Sequence, residues 1–205
     1  MTHHLHWRYA TKKFDPTKKI SEEELHELLD SARLAPSSFG LQPWKFLVIT
    51  DPALRLRLRE HAWGQPQVTD ASHLIILLAK KNVEEEYVHS FVEETAKARQ
   101  KSIESLNRYE DVMNRFLKNM TSEEQITWAK KQVYIAIGFL MYDAAYRKID
   151  SCPMEGFDAQ AFDEILELKD YTTTVLLPVG YRADDDIYAT TPKVRFKTKE
   201  VVERR

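Results

Sequence analysis

Four short segments hold the residues whose types and spacing could do chemistry. Arg8-Tyr9-Ala10-Thr11-Lys12-Lys13 brings cations close together ahead of a turn at Pro16. Thr191-Pro192-Lys193-Val194-Arg195 sets two more on alternate positions where the globular part ends. Fork-shaped guanidiniums and point-charge ammoniums are what an oxyanion such as a phosphate needs, because they give it charge-assisted hydrogen bonds. Pro36-Ser37-Ser38-Phe39-Gly40-Leu41-Gln42-Pro43-Trp44 is a polar loop closed by a proline and a tryptophan, and Cys152-Pro153-Met154-Glu155-Gly156-Phe157 is a rigid turn containing a glycine. Taken singly, each also reads as ordinary structure: a solvated charge pair, a helix-to-strand loop, a turn and a tail.

Other chemistries find less support. There is no G-x-G-x-x-G, P-loop or G-x-S-x-G, which argues against Rossmann, Walker and nucleophile-elbow sites. His3, His4 and His6 have no accompanying carboxylate or cysteine cluster, so they read as a mobile terminus and no metal site is expected. His73, beside a buried strand, reads as a hydrogen-bonded structural histidine. Cys152 has no neighbouring base and reads as a small packed side chain.

Composition narrows the setting. The 205 residues carry 30 basic against 32 acidic side chains, a formal net charge of −2, so no general field attracts nucleic acid or an anionic membrane and any anion site must be local. The single cysteine excludes an intrachain disulfide. The start, Met1-Thr-His-His-Leu-His, lacks a signal-peptide layout, and the longest uncharged apolar stretch, Gln132 to Tyr142, is shorter than the ~20 residues a bilayer requires. These features predict one cytoplasmic domain over residues 1–205.

The elements that must position the four segments are legible in part. Ser21 to Glu24 forms a capping box with Ile20 and Leu25 as a hydrophobic staple, opening a helix whose face is Leu25, Leu28, Leu29 and Ala32 and which Pro36 stops. Strands are predicted at 45–50 and 74–79, the second apolar on both faces and therefore central, and at 174–179 with an irregular end at Pro178. Asp51-Pro52 looks like the cap and first position of a helix. Residues 83–120 predict two or more helices with Tyr87, Phe91, Ile103, Leu106, Val112 and Phe116 turned inward. Thr121 to Glu124 is a second capping box, opening a helix to about Lys148 whose middle, Val133 to Ala145, is apolar nearly all round and so suits a buried helix or a subunit interface. Asp158 caps a short helix, and 193–205 is too charged to fold alone. The sum is a mixed α+β domain, not a βαβ series.

In this order and at these separations, the four segments closely resemble the oxygen-insensitive nitroreductases, dimeric FMN-dependent enzymes that use NADH or NADPH. The resemblance covers nearly the whole chain, including Trp128-Ala-Lys-Lys-Gln-Val-Tyr134 and Asp70-Ala-Ser-His73, and is poor over 83–120. It implies a nitroreductase-like fold, with a central mostly antiparallel sheet flanked by helices, a long buried central helix, and an intertwined homodimer over which the tail 196–205 could extend. It implies FMN as cofactor, NADH or NADPH as reductant, nitroaromatics or quinones as acceptors, and a ping-pong cycle in which reductant and acceptor share one place.

Residue by residue, the resemblance puts Arg8, Lys193 and Arg195 on the FMN phosphate. Tyr9 and Ala10 stand where relatives often carry a polar pair helping to hold the phosphate and ribityl chain. Lys12 matches a lysine beside the N1 and C2-carbonyl side of the flavin ring, where a fixed ammonium would stabilise the charge of the reduced form. Pro36, Ser37 and Ser38 match a loop that reaches the flavin of the partner subunit, with Gly40 and Gln42 in the same stretch. Pro153, Met154, Glu155 and Gly156 match a turn along the flavin whose backbone N–H faces N5, so Glu155 acts mainly through its amide and by orienting the loop. Lys12 and Glu155 are thus the catalytic positions, and Phe116 is a candidate aromatic gate. Three departures stand out. Ala10 cannot hydrogen-bond through its side chain, Gly40 replaces a polar residue and leaves its loop less defined, and Gln67 stands where some relatives have a second lysine. A specialised flavin enzyme of the same fold, of dehalogenase or flavin-fragmenting type with a lid at 83–120, and a dimer that has lost tight flavin binding are the rival readings.

Overall fold

The computed structural model describes residues 3–205, and Met1 and Thr2, which belong to the N-terminal reading above, lie outside them. Four strands, β1 (Trp44–Ile49), β2 (His73–Lys80), β3 (Asp150–Ser151) and β4 (Tyr171–Gly180), form one sheet in the order β1-β2-β4-β3, with every pairing antiparallel. β2 is central because both of its faces are apolar. Ile75, Leu77 and Ala79 enter the core beneath α2 (Glu22–Arg33) and α7 (Ser122–Tyr146). Leu74, Ile76 and Leu78 enter a second core with Leu58 of α3 (Pro52–Glu60), Val68 of α4 (Gln67–Asp70) and Phe162 of α8 (Ala159–Ile165). Each fully buried leucine or isoleucine on this strand contributes roughly 1.5–3 kcal/mol. The two-sided hydrophobic demand of one strand therefore fixes a helix–sheet–helix sandwich.

The predicted caps are all present. Ser21 accepts from the Glu24 amide and Thr121 from the Glu124 amide, each glutamate reaching back in a capping box. Asp51 caps α3 and Asp158 caps α8. β4 runs through Pro178 to Gly180, where an irregular end was expected. The Pro178 carbonyl accepts from the Cys152 amide, so the edge its missing N–H would face is the one where β3 has already ended at Ser151. Proline is tolerated there because few ladder bonds remain to be lost.

Three further expectations are corrected. Residues 3–7 form a short helix, α1 (His3–Trp7), in place of a mobile terminus; it packs against α7, with the His4 ring edge-on to Tyr146 at 5.1 Å. Residues 198–201 form a last turn of helix, α9 (Thr198–Val201), which buries nothing. The 83–120 region does split into α5 (Glu85–Arg99) and α6 (Asn107–Lys118), but Ile103 and Val112 face solvent, and Val88, Val92, Met113 and Leu117 fill the core. The inward stripe of α6 follows Tyr109, Met113, Phe116 and Leu117, one position out of phase with Val112. Among the described residues no helix is long and apolar enough to cross a membrane.

α5 and α6 are joined at the surface by His89, whose Nδ1 lies 2.9 Å from Glu110, with Glu93 a turn further along α5, and by a Lys118–Glu85 pair. The Glu110 hydrogen bond and charge raise the His89 pKa. A raised folded-state value means this contact stabilises fully below the ordinary histidine pKa of about 6.5 and is lost as pH climbs through the folded value. Thermal melts of wild type and His89→Gln between about pH 5.5 and 8.5 are expected to differ most at the acid end and converge at the alkaline end. A gap independent of pH would contradict this reading.

Candidate functional site

The cations that the sequence holds some 180 residues apart meet at the β3 edge of the sheet. Segment 8–15 runs along that edge: Ala10 pairs in parallel with Ser151, and the Thr11 amide donates to the Ser151 carbonyl at 3.4 Å. Ala10 thus contributes through its backbone, and its small side chain packs on the second core. Phe14 bridges to Arg182 beyond the end of β4, which brings the chain after the sheet alongside the chain before it.

Two carboxylates lock this junction. Asp150 is buried and takes a bidentate contact from Arg182 (Nε at 2.9 Å, Nη2 at 2.6 Å) together with the Arg182 amide and the Thr11 hydroxyl. The Arg182 guanidinium lies over the rings of Trp7 at 4.4 Å and Tyr9 at 4.6 Å. Asp186 is 5% exposed, and its Oδ2 accepts from the Tyr9 hydroxyl at 2.8 Å and from the amides of Lys12 at 3.0 Å and Lys13 at 3.1 Å. Its Oδ1 accepts from the Tyr188 amide. Burial disfavours the charged form of Asp186, but the Lys13, Tyr9, Lys12 and Tyr188 donors outweigh it and hold the carboxyl below the usual range. The Tyr9 hydroxyl is therefore committed to Asp186, and Tyr9 acts as a strut.

On this frame the charges of Lys193 and Arg195 act on one another and on Arg8, and among the described residues none of the three forms an ion pair with a carboxylate. Burial lowers the Arg8 pKa and the Arg195 charge lowers it further, while Lys193 is pushed down by desolvation and then by Arg8, Arg195 and Arg182. Lys193 Nζ donates to the His6 carbonyl at 2.6 Å. Arg8 Nε is buried with no hydrogen-bond partner among the described residues. A desolvated guanidinium N–H without an acceptor is expensive, by about 1–3 kcal/mol or more, and mutually repelling cations compound it. An oxyanion would relieve both, so these residues fit a phosphate.

The turn after β3 lies next to this cluster. Lys12 and Arg8 are near the Cys152 thiol, whose pKa burial raises against their opposing pull, and Gln67 lies beside it. Gln67 is buried, and its Oε1 has no partner. Met154 pairs with Leu176 through two backbone bonds, of 2.9 and 3.1 Å, which pins the turn to β4. The amides of Glu155 and Gly156 donate to no acceptor among the described residues. Glu155 accepts from the Tyr134 hydroxyl at 2.5 Å, anchoring the turn to α7. Gly156 lies under the Trp63 indole, where a Cβ would stand 2.6 Å from the ring, and Gln65 donates to the Gly156 carbonyl at 2.9 Å.

Loop 36–43 belongs to a different neighbourhood. Its Ser38 amide donates to Gln132 of α7 at 2.9 Å and its Ser37 hydroxyl accepts from the Gln42 amide at 2.9 Å. No hydrogen bond or ion pair joins Pro36, Ser37, Ser38, Gly40 or Gln42 to the cation cluster among the described residues. Phe116 packs on Phe39 and Trp128, inside this neighbourhood and likewise away from the cluster. Gly40 has φ +78 and approaches Phe91 closely, so glycine defines this loop instead of loosening it. The predicted site residues thus fall into two separate neighbourhoods, one holding Arg8, Lys12, Gln67, Pro153–Gly156, Lys193 and Arg195, the other loop 36–43. The residues that sequence reasoning missed are Asp186, Asp150, Arg182, Gln132 and the Tyr134 hydroxyl. Asp186 sits in Asp184-Asp185-Asp186, which reads as a solvated charge run.

Comparison with known proteins bears on this geometry. The Nitroreductase family profile matches residues 5–181. A Staphylococcus haemolyticus protein provisionally named an NAD(P)H nitroreductase is 38% identical over 209 residues, covering 97% of this chain and 94% of the relative. The crystal structure of a Bacillus subtilis protein provisionally named a nitroreductase superposes with a TM-score of 0.90 at 24% identity, over 100% of this chain and 98% of that one. A provisionally named nitroreductase from Exiguobacterium sibiricum, solved in complex with FMN, gives a TM-score of 0.86 at 22% identity over 100% and 96% of the two chains. At those identities the structural likeness establishes the shared fold, and the flavin is a property of that relative.

Replacing Asp186 by alanine leaves the Tyr9 hydroxyl and the amides of Lys12, Lys13 and Tyr188 without their acceptor. Urea unfolding of Asp186→Ala near pH 7 is expected to register a loss of about 2–3 kcal/mol. Because the folded-state pKa is depressed, that difference should be present above the ordinary carboxyl pKa and fade as pH falls through the folded value. Stability equal to wild type at neutral pH would mean the carboxylate does not hold the junction.

Proposed function

This chain belongs to the nitroreductase family, and we propose that within it the protein is an FMN-dependent oxidoreductase passing electrons from NADH or NADPH to nitroaromatics, quinones or related electron-poor acceptors in a ping-pong cycle. The observation that carries this reading is the carboxylate-free cluster of Arg8, Lys193 and Arg195, with a buried guanidinium nitrogen left unpartnered. FMN, when bound, supplies the two-electron redox chemistry.

The chain's own residues supply the rest. Arg8, Lys193 and Arg195 hold the phosphate by charge-assisted hydrogen bonds. Lys12, its backbone fixed by Asp186, presents an ammonium to the ring edge where negative charge accumulates. The free amides of Glu155 and Gly156 would be the donors available to the flavin ring, and the Tyr134–Glu155 hydrogen bond keeps that turn in place. Gln67 offers an unused acceptor to a flavin N–H or a ribityl hydroxyl. Pro36, Ser37, Ser38 and Gly40 complete the site of a second copy, which makes the active unit a homodimer.

An exposed apolar face supports that assembly. The outer side of α7 presents Ile135, Phe139, Tyr142 and Tyr146, and the tail presents Val194, Phe196, Val201 and Val202. Contiguous apolar surface of this kind marks an interaction site, and a tail that buries none of its own apolar residues suits a partner's surface. A cytoplasmic setting fits the single unpaired, buried Cys152.

The test is the visible spectrum of the purified protein, taken before and after NADH or NADPH under nitrogen. Flavin bands that bleach and then return when a quinone or nitroaromatic is added are expected. Arg8→Ala should weaken FMN affinity by roughly 10–100-fold, the equivalent of one strong charge-assisted contact. A colourless protein that takes up no added FMN would overturn the reading.

A further inference from the structure

The helical pair α5–α6 does something specific to loop 36–43. Two non-glycine residues of that loop lie in the left-handed region, Phe39 at φ 56 and Gln42 at φ 49, with Gly40 at φ 78 between them. Such residues persist only where surrounding structure over-determines them, and strain of this kind gathers at functional sites. The carbonyls of these same two residues are taken by tyrosines of the helical pair. Tyr109 of α6 donates to the Phe39 carbonyl at 2.5 Å, and Tyr87 of α5 donates to the Gln42 carbonyl at 2.8 Å.

The packing repeats the pattern. The Phe39 ring meets Tyr109 at 6.5 Å and Phe116 at 5.1 Å, both edge-on, and Phe116 meets Trp128 of α7 at 6.0 Å. The Phe91 ring stands where a Cβ on Gly40 would lie 3.2 Å away. From the opposite side Gln132 takes the Ser38 amide. The loop is therefore gripped on two carbonyls and one ring by α5–α6 and on one amide by α7, while Ser37 stays half-exposed.

We propose that the α5–α6 pair is a positioning brace for loop 36–43, with Tyr87 and Tyr109 as the positioning residues that set how Ser37 and Ser38 are presented to the flavin of a second copy. The proposal rests on the FMN-dimer reading above. Each hydroxyl is spent on a loop carbonyl, where it stops a left-handed residue from relaxing. Without them the loop samples more conformations, and ordering it on binding costs more conformational entropy.

Tyr109→Phe and Tyr87→Phe keep the rings and remove only the hydroxyls. The first readout is hydrogen exchange of the amides of Ser38, Gly40, Leu41 and Gln42 in FMN-free protein, all of which are hydrogen-bonded in the native loop. The second is FMN affinity by fluorescence titration, with the thermal midpoint of the FMN-free protein as control. The expected result is about tenfold faster exchange confined to the loop and about tenfold weaker FMN binding, which corresponds to one decade of equilibrium constant, with little change in thermal midpoint. Unchanged loop exchange, or faster exchange spread through the chain with a matching fall in midpoint, would overturn the brace. Faster loop exchange with unchanged FMN affinity would overturn its link to the flavin. A wild-type protein that binds no FMN would instead overturn the function proposed above, and the exchange readout would still decide the brace.

Discussion

Holding Arg8, Lys193 and Arg195 together without a carboxylate among them is the constraint on which much of this structure turns. Like charges held close together repel, and at Arg8, the half-buried member, lost solvation adds to the cost. The lowered pKa values of Arg8 and Lys193 are the signature of that cost. Nothing inside the cluster offsets it, so the offset comes from around it. The Ala10–Ser151 bridge fixes one strand of the junction, Asp150 neutralises Arg182, and Asp186 ties the Lys12–Lys13 backbone to the chain that carries Lys193. Asp150 and Asp186 serve the frame, not the cluster: Asp186 spends its lone pairs on Tyr9 and on three amides. The frame is electrostatically satisfied and the cluster is not, which is the arrangement expected of a preorganised anion site.

α7 connects this neighbourhood to the other. Its buried face, from Trp128 through Ala129, Val133, Ala136 and Leu140 to Ala144, packs on the sheet. Gln132 on the buried side holds loop 36–43, while Tyr134, two residues on and partly exposed, holds Glu155. Residues two apart on a helix point in different directions, so one helix anchors two segments that do not meet within the chain. The same geometry leaves Ile135, Phe139 and Tyr142 exposed. The near-uniform apolarity of 133–145 thus resolves into a core face packed on the sheet and an outer face left exposed.

Much of the fold was legible in the sequence, because the signals were local. Capping boxes at Ser21 and Thr121, the two-sided apolar run 74–79 and the Asp51-Pro52 cap each depend on neighbours within a few residues. The short α1 was missed because its stability comes from packing on α7, a contact more than a hundred residues away. The phase of α6 was misread because Val112 and Met113 are both apolar and only the tertiary contact chooses between them. In the candidate site, the cations were visible as residue types and their convergence was not. It is made by β3, a strand of two residues, and by carboxylates that look like surface charge. Tyr87, Phe91 and Phe116 were read as inward, but nothing local links Tyr87 and Tyr109 to carbonyls 45 and 70 residues distant.

Gln67 shows how a departure from a family pattern can follow from charge balance. Read alone, a glutamine where some relatives carry lysine looks like a lost cation. In the fold this side chain is 5% exposed and lies against Cys152, within the field of Lys12 and Arg8. A lysine there would bury another ammonium near Lys12 and Arg8, and burial of an unpaired charge is costly. Glutamine puts no charge beside the thiol and leaves Oε1 as an unmet acceptor, complementary to the unmet donor at Arg8 Nε. A ligand that fills both must carry an anionic group at one end and an N–H or O–H donor further along. A flavin mononucleotide has that polarity, and a bare phosphate has only the first half of it.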